Sequence, residues 1–366
     1  MKIAVYTICK NESAFVDRWV DSMSEADGIY VLDTGSEDDT VEKLKKRGVV
    51  VDTAKIVPWR FDTARNMSLE LVPEDVDVCV CTDLDEVFLP GWRERIEKTW
   101  KKGDSQARFR YTWSFNEDGS EGVVFWEENI HARKGFRWTH PVHEVLEITD
   151  PSISRNVITI EGIQLNHYPD KNKSRSQYLG LLEMSVEESP DDDRNMHYLG
   201  REYMFKRRWD DCIRTLERHL AMPSAVWKDE RSASMRYIAN SYYMKGNAAA
   251  ARDWYLKAIA EAPHLREPYM DLALMLFREK EWDGVLYFTE CALKIKVRPA
   301  SYICEAASWG SLPNDLRAIA LYNTGRIEEA LDEAKTAVEK EPKNERLKNN
   351  VKLIEDSLNN KKIRRT

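Results

Sequence analysis

The hydrophobic period of this chain changes near residue 175, which limits it to two halves built on different principles. Up to about residue 82, short apolar runs alternate with segments whose apolar residues recur every three to four positions. Residues 2–7, 28–33, 49–56 and 76–82 read as strands. Between them, residues 12–26 read as a helix with Phe15, Trp19, Val20 and Met23 on one face, and 39–47 and 62–71 read as two more. Strands separated by helices are βαβ units, which assemble a mainly parallel sheet. After Pro90 one helix to about Lys102 precedes strand-like runs at 107–113, 122–130 and 157–165, a more antiparallel lobe.

The second half is helical and repeats. Met196, Leu199, Gly200, Tyr203, Trp209, Cys212, Leu216 and Leu220 set a pattern of large residues with a small one at Gly200. Ile238, Ala239, Tyr242, Gly246, Ala251, Tyr255, Ala258 and Pro263 restate it, and Arg317, Ala318, Leu321, Gly325, Ala330, Ala334 and Pro342 do so again. A weaker copy runs through Leu272, Ala273, Leu276, Trp282, Ala292 and Leu293. The equivalent small positions Gly200, Ala239, Ala273 and Ala318 are spaced around the 34-residue tetratricopeptide period. This half therefore resembles tetratricopeptide proteins, with a polar helix at about 344–358 capping the stack. The expected domains are 1–175 and 176–366.

Composition removes several classes. At 42% hydrophobic with 12 Trp, the chain is not disordered, and 6 Cys in 366 residues are too few for a disulfide scaffold. No apolar run is long enough to span a bilayer and no signal-peptide anatomy follows Met1, so a cytoplasmic location is expected. The net charge of −8 falls in the first half, which disfavours coating a nucleic-acid backbone. A local basic groove from Arg93, Arg95, Lys98, Lys101, Lys102, Arg108 and Arg110 keeps nucleic acid as the weaker alternative partner.

The motifs of dinucleotide, P-loop and α/β-hydrolase chemistry are absent. Polar residues stand instead where strands end, the ligand side of an open α/β sheet: Asp33-Thr34-Gly35-Ser36 and Thr82-Asp83-Leu84-Asp85-Glu86. A D-x-D alone is weak, but Asp83 and Asp85 follow one apolar run and precede another, Val87-Phe88-Leu89. Carboxylates so crowded repel unless a hard divalent cation, Mg²⁺ or Mn²⁺, lies between them.

These segments, with Val5-Tyr6-Thr7, Lys10-Asn11-Glu12, Asp39-Thr40 and Phe61-Asp62-Thr63-Ala64-Arg65-Asn66, resemble family 2 glycosyltransferases over roughly residues 1–170. The resemblance implies an α/β GT-A, Rossmann-like nucleotide-sugar domain followed by an all-α tetratricopeptide-repeat solenoid. It also implies a metal-dependent, inverting transfer from a nucleotide-diphosphate sugar, hexosyl or pentosyl. By resemblance, Tyr6, Thr7, Lys10, Asp33, Arg65 and Asp83 bind the donor, while Asp83, Asp85 and His167 hold Mn²⁺ or Mg²⁺. Arg65 alternatively forms an ion pair with Asp62 or Asp83. The segment Phe136–Glu144 resembles one found in tetratricopeptide-linked members, which makes Glu144 the base and His143 the second choice. Trp138 is expected to stack on the acceptor sugar.

A repeat array suits a protein, peptide or polymer acceptor. The alternatives are transfer to a modified nucleic-acid base, a non-catalytic scaffold, and a nucleotidyltransferase. The last ordinarily has a glycine-rich loop after the first strand, where this chain reads Cys9-Lys10-Asn11-Glu12. Donor identity, acceptor and oligomeric state are not encoded in any motif.

Overall fold

The computed structural model describes residues 1–116, 118–170 and 177–363, so the expected boundary at 175 lies outside the described residues. The chain forms two compact units: Met1–Ser114 with Val124–Glu188, and Phe115–Val123 with Ser189–Thr366. No described helix is long and apolar enough to cross a membrane.

The first unit runs β1 (Ile3–Cys9), α1 (Val16–Met23), β2 (Gly28–Asp33), α2 (Thr40–Lys46), β3 (Val50–Thr53), α3 (Phe61–Glu70) and β4 (Val78–Cys81). It continues through β5 (Glu86–Phe88), α4 (Trp92–Thr99), β6 (Gln106–Thr112), β7 (Val124–Ala132), β8 (Phe136–Thr139), β9 (Val145–Ile148), β10 (Val157–His167) and α5 (Tyr178–Glu188). Its main sheet has the order β3-β2-β1-β4-β7-β6-β10-β5, and β8 pairs β9 in a separate hairpin. β3, β2, β1 and β4 are mutually parallel, and β7 runs antiparallel to both β4 and β6. The parallel half and the mixed second lobe accord with the alternation of the sequence.

Every residue of β1 is buried, as a strand covered on both faces must be. Ile3, Val5, Val78 and Val80 face a core with Trp19 and Trp92. Ala4, Tyr6, Cys79 and Cys81 face the other, with Leu69, Phe136, Trp138 and Leu146.

That second core contains a polar chain. Trp138 Nε1–H donates to Tyr6 Oη at 2.8 Å, and Tyr6 Oη lies 2.7 Å from His131 Nε2. His131 Nδ1 lies 2.8 Å from the Ala132 carbonyl. A carbonyl only accepts, so Nδ1 carries the proton and Nε2 accepts from Tyr6.

Asp192 and Asn247 cap α6 (Asp193–Phe205) and α9 (Ala248–Glu261) of the second unit by accepting from the Asn195 and Ala250 amides. Between these helices come α7 (Trp209–Ala221) and α8 (Lys228–Met244). The rest is α10 (Glu267–Arg278), α11 (Trp282–Lys294), α12 (Ala306–Trp309), α13 (Leu312–Asn323), α14 (Ile327–Lys340) and α15 (Glu345–Ile363). The pairs α6/α7, α8/α9, α10/α11 and α13/α14 are the four expected tetratricopeptide-type repeats, and α15 is the capping helix. Residues 295–311, with α12, account for the longest repeat spacing.

The small positions lie where paired helices approach: Ala239, Ala273 and Ala318 are buried. At Gly200 a Cβ would sit 2.2 Å from Leu216 Cδ2 and 2.4 Å from its Cγ. Leu216 is itself fully buried and has nowhere to retreat.

Two outcomes are expected. Burial pushes His131 from 6.5 down to about 4. The unfolded chain therefore takes up a proton that the folded chain refuses, and stability present above about pH 6.5 falls as pH drops toward 4. Urea unfolding of the first unit should lose ~2 kcal/mol more between pH 7 and about pH 4.5 in the wild type than in His131→Gln. Equal losses would place the proton elsewhere. Gly200→Ala should destabilise the second unit by about 1–2 kcal/mol despite alanine's better helix propensity. Thermal melts should show Leu216→Ala relieving part of that loss in the double variant.

Candidate active site

β1 pairs β2 on one side and β4 on the other, so the chain leaves the sheet centre in opposite directions at this point. In open α/β sheets the crevice beyond the strand ends at such a reversal receives ligands. Three groups of side chains meet there.

The first joins the loops after β1 and β2. The Gly35 amide donates to Asp33 Oδ2 at 3.1 Å, and the Ser36 amide reaches both Asp33 oxygens. Gly35 has φ 106°, a left-handed backbone that favours glycine. The Asn11 amide donates to Ser36 Oγ at 2.8 Å, and Asn11 Oδ1 accepts from the Glu37 amide at 2.7 Å. Asp33, expected to meet the donor, is buried and spends its carboxylate on its own turn. Asn11 was legible as a motif residue but not as the tie between two loops. Lys10 stands exposed at the end of β1.

The second group is centred on Arg65, which α3 presents toward the end of β4. Its Nε–H donates to Glu144 Oε1 at 2.6 Å, Nη2 to Asp83 Oδ1 at 2.9 Å and Nη1 to Cys81 Sγ at 3.2 Å. The guanidinium lies 5.4 Å from the Trp138 ring centroid. Burial works to lower the Arg65 pKa, but the neighbouring Asp83 and Glu144 carboxylates hold it well above its ordinary value. Of the two alternatives for an Arg65 ion pair, Asp83 takes it, while Asp62 pairs with Arg60 at 2.8 Å. Asn66 pins Trp138 from both sides, Oδ1 accepting from the Trp138 amide and Nδ2 donating to its carbonyl, each at 2.8 Å.

Burial bears on three of the expected residues. Trp138 is 4% exposed and Tyr6 is fully buried, with their polar atoms bonded to each other, and Trp138 is the platform beneath Arg65. Thr7 is likewise buried, its hydroxyl 3.2 Å from the Ile8 carbonyl. Glu144 and His143 come from the bend between β8 and β9. There His140 and His143 adopt left-handed φ values of 74° and 54°. Such values in non-glycine residues store strain of about 1–3 kcal/mol each, typical of functional loops. The Phe61 amide holds the bend by donating to the Pro141 carbonyl at 2.9 Å.

The third group is Asp85 with His167. Antiparallel pairing of β5 with β10 sets His167 opposite Glu86. Leu84, fully buried, anchors the turn from which Asp83 and Asp85 project. Glu86 knits the same turn, accepting from the Asp83 amide at 2.8 Å and from Tyr111 Oη–H at 2.6 Å. Burial first, and the neighbouring Asp83 charge second, raise the Glu86 pKa above the usual carboxylate range.

His167 Nε2 lies 3.4 Å from Asp85 Oδ2, and its Nδ1 lies 2.9 Å from the Trp113 carbonyl. The carbonyl requires the proton on Nδ1, so Nε2 is the nitrogen that faces Asp85: protonated it donates to the carboxylate, and in the neutral ring its lone pair is the one a metal ion would take. Burial acts to lower the His167 pKa, yet hydrogen bonding and charge from Asp85 outweigh it and raise the value. Asp85 and His167 thus fit two neighbouring ligands of one divalent ion. Asp83 instead turns one oxygen to Arg65.

Two residues of the expected basic groove are in ion pairs within the unit and two donate to neutral side chains. Arg93 pairs with Asp27 and Glu97, and Lys98 with Glu94. Arg108 donates to Thr159 and Arg110 to Gln164.

Residues 4–146 match the Glycosyl transferase family 2 model, which supports glycosyltransferase activity in general for the first unit. Similar solved structures include a MamA protein, 19% identical over 45% of this chain and 81% of that one, with a TM-score of 0.36. Yeast Tom70 is 14% identical over 52% of this chain and 37% of that one, with a TM-score of 0.40. The first TPR domain of human RPAP3 is 19% identical over 37% of this chain and 97% of that one, with a TM-score of 0.31.

A lysine cannot reproduce the fork that Arg65 offers to Glu144 and Asp83. Arg65→Lys should cost the first unit about 2 kcal/mol in chemical denaturation, the half-exposed Asp83 softening the penalty of a fully buried pair. A change under about 0.5 kcal/mol would show that Arg65 is not the keystone of this site.

Proposed function

We propose that the first unit transfers a sugar, with inversion, from a nucleotide-diphosphate donor to a hydroxyl or similar nucleophile of a protein, peptide or polymer, with Mn²⁺ or Mg²⁺ as cofactor. The Asp85–His167 pair carries the reading: a carboxylate from the turn after β4 and an oriented imidazole nitrogen at the end of β10, 3.4 Å apart. Asp83, 46% exposed at its side chain, stands beside them as the residue to meet the donor ribose and complete the metal's surroundings. A divalent ion held there supplies Lewis-acid neutralisation of the charge that grows on the departing diphosphate.

The protein's own groups do the rest. Lys10 offers a positive charge toward the donor phosphates from the end of β1. Arg65 anchors Glu144 through Oε1, which fixes the carboxylate's direction. Glu144 then takes the proton of the acceptor nucleophile as that atom bonds to the anomeric carbon. The sugar–phosphate bond breaks, and the nucleoside diphosphate leaves with the electron pair. His143, in the same bend, is the second candidate base. The repeat unit fits a protein-interaction role, and helix-pair arrays ordinarily bind extended chains. Six free cysteines accord with a reducing, cytoplasmic setting.

A panel of nucleotide-sugars with and without Mn²⁺, read by thermal shift and by product formation, tests the reading. One donor should raise the melting temperature in a metal-dependent way, and Asp85→Ala should lose both the shift and the transfer while keeping the fold. Glu144→Gln should still bind donor but turn over about 100-fold more slowly or worse. Turnover equal to wild type in Glu144→Gln would hand the base to His143, and full metal-dependent activity in Asp85→Ala would sink the metal assignment.

A further inference from the structure

The geometry points to a second metal centre, independent of the transferase reading: His197 of α6, His219 of α7 and Glu230 of α8 form a buried site for a zinc-like divalent ion inside the repeat unit. One ligand atom from each residue lies within 4.8 Å of the other two, the one such His/Cys/Asp/Glu group among the described residues. His197 and His219 are fully buried and Glu230 is 4% exposed.

The arrangement around the three residues orients them. Ser234 Oγ lies 2.7 Å from His197 Nδ1 and 3.0 Å from His219 Nδ1, so a single hydroxyl oxygen can accept from both rings. With each Nδ1 protonated toward Ser234, Nε2 is the nitrogen that each ring has for an ion. Tyr302 Oη–H donates to Glu230 Oε2 at 2.5 Å and directs Oε1 toward His219. Outer hydrogen bonds of this kind are the usual means of fixing ligand tautomers and rotamers at metal centres.

The decisive atom is His219 Nε2. It is buried, makes no hydrogen bond, and lies 3.4 Å from Glu230 Oε1. Two ligands bonded to one tetrahedral ion at about 2.0–2.1 Å stand roughly 3.3 Å apart, so the spacing is that of a coordination edge. Two imidazoles and one carboxylate are the donor set of Zn²⁺ and its neighbours, not of the hard, oxygen-seeking Mg²⁺. The ion would join three consecutive helices whose order otherwise depends on side-chain packing, and a water can supply its fourth ligand.

The test uses the full-length protein, stripped with a chelator and dialysed against Zn²⁺ or Co²⁺. Wild type should retain one more zinc per chain than His219→Gln or Glu230→Gln, and Asp85→Ala one more than the same two substitutions made in the Asp85→Ala background. Wild type with Co²⁺ should show the visible bands of a tetrahedral site. Ser234→Ala, a positioning change, should weaken zinc binding by about 10–100-fold. Chelation should lower the melting temperature of wild type more than that of Glu230→Gln. Equal zinc content in wild type and the two ligand variants, or no tetrahedral Co²⁺ spectrum in wild type, would overturn the site. Because the spectrum is read on the wild type, a misfolded variant cannot rescue or sink the proposal.

Discussion

A single guanidinium organises the crevice of the first unit, and its position depends on parts of the chain far apart in sequence. Arg65 is held by Asp83 after β4 and by Glu144 after β8, and it lies over Trp138. Trp138 is in turn fixed by Asn66 and by Tyr6, whose hydroxyl leads on to His131. A planar, permanently charged fork is the one side chain that can satisfy two carboxylates from different directions while resting on an indole face. Removing it would leave Glu144 and Asp83 to repel across a partly buried space, with the apolar packing of Phe136, Trp138 and Leu146 on Cys79 and Cys81 to oppose them. The charged surface of the crevice is therefore a continuation of the buried polar chain beneath it.

The second unit is governed by volume instead of charge. Gly200, Ala239, Ala273 and Ala318 let paired helices approach, and large partners such as Leu216 fill the room that results. Within this packing, buried polar residues form their own clusters, Arg236 with Asp271 and Glu305 being one. His197, His219 and Glu230 gather in one place, and Ser234 and Tyr302 serve them from outside. Dry cores rarely keep two imidazoles and a carboxylate without giving them a charge to share.

Much of the architecture was legible in the sequence because it is local. The βαβ alternation and the repeated small positions are periodic signals, and both survive in the structure. β5, β8 and β9 were not anticipated: each is three or four residues long and, unlike the equally short β3 and β4, lies outside the strand–helix alternation that marks a βαβ unit. The candidate site was legible as a set of motifs but not as a set of roles. Trp138 and Tyr6 are polar-tipped aromatics in motif positions, which invites a ligand role; only their pairing across 132 residues reveals them as core. Asp33 was legible as a motif residue, but not that the Gly35 and Ser36 amides would donate to its carboxylate.

The pairing of β5 with β10 has a consequence for how this site can change over time. His167 is opposite Glu86 because three rungs, Phe88 with Leu165, Val87 with Asn166 and Glu86 with His167, set the alignment at the sheet edge. Side chains along a strand alternate in direction, so sliding that ladder by one residue would bring Asn166 or Tyr168 to the place beside Asp85. The loops between these strands can lengthen or shorten at little cost, but the ladder cannot drift. Three residues of edge strand set the register of the crevice, and an insertion within them would carry His167 away from Asp85.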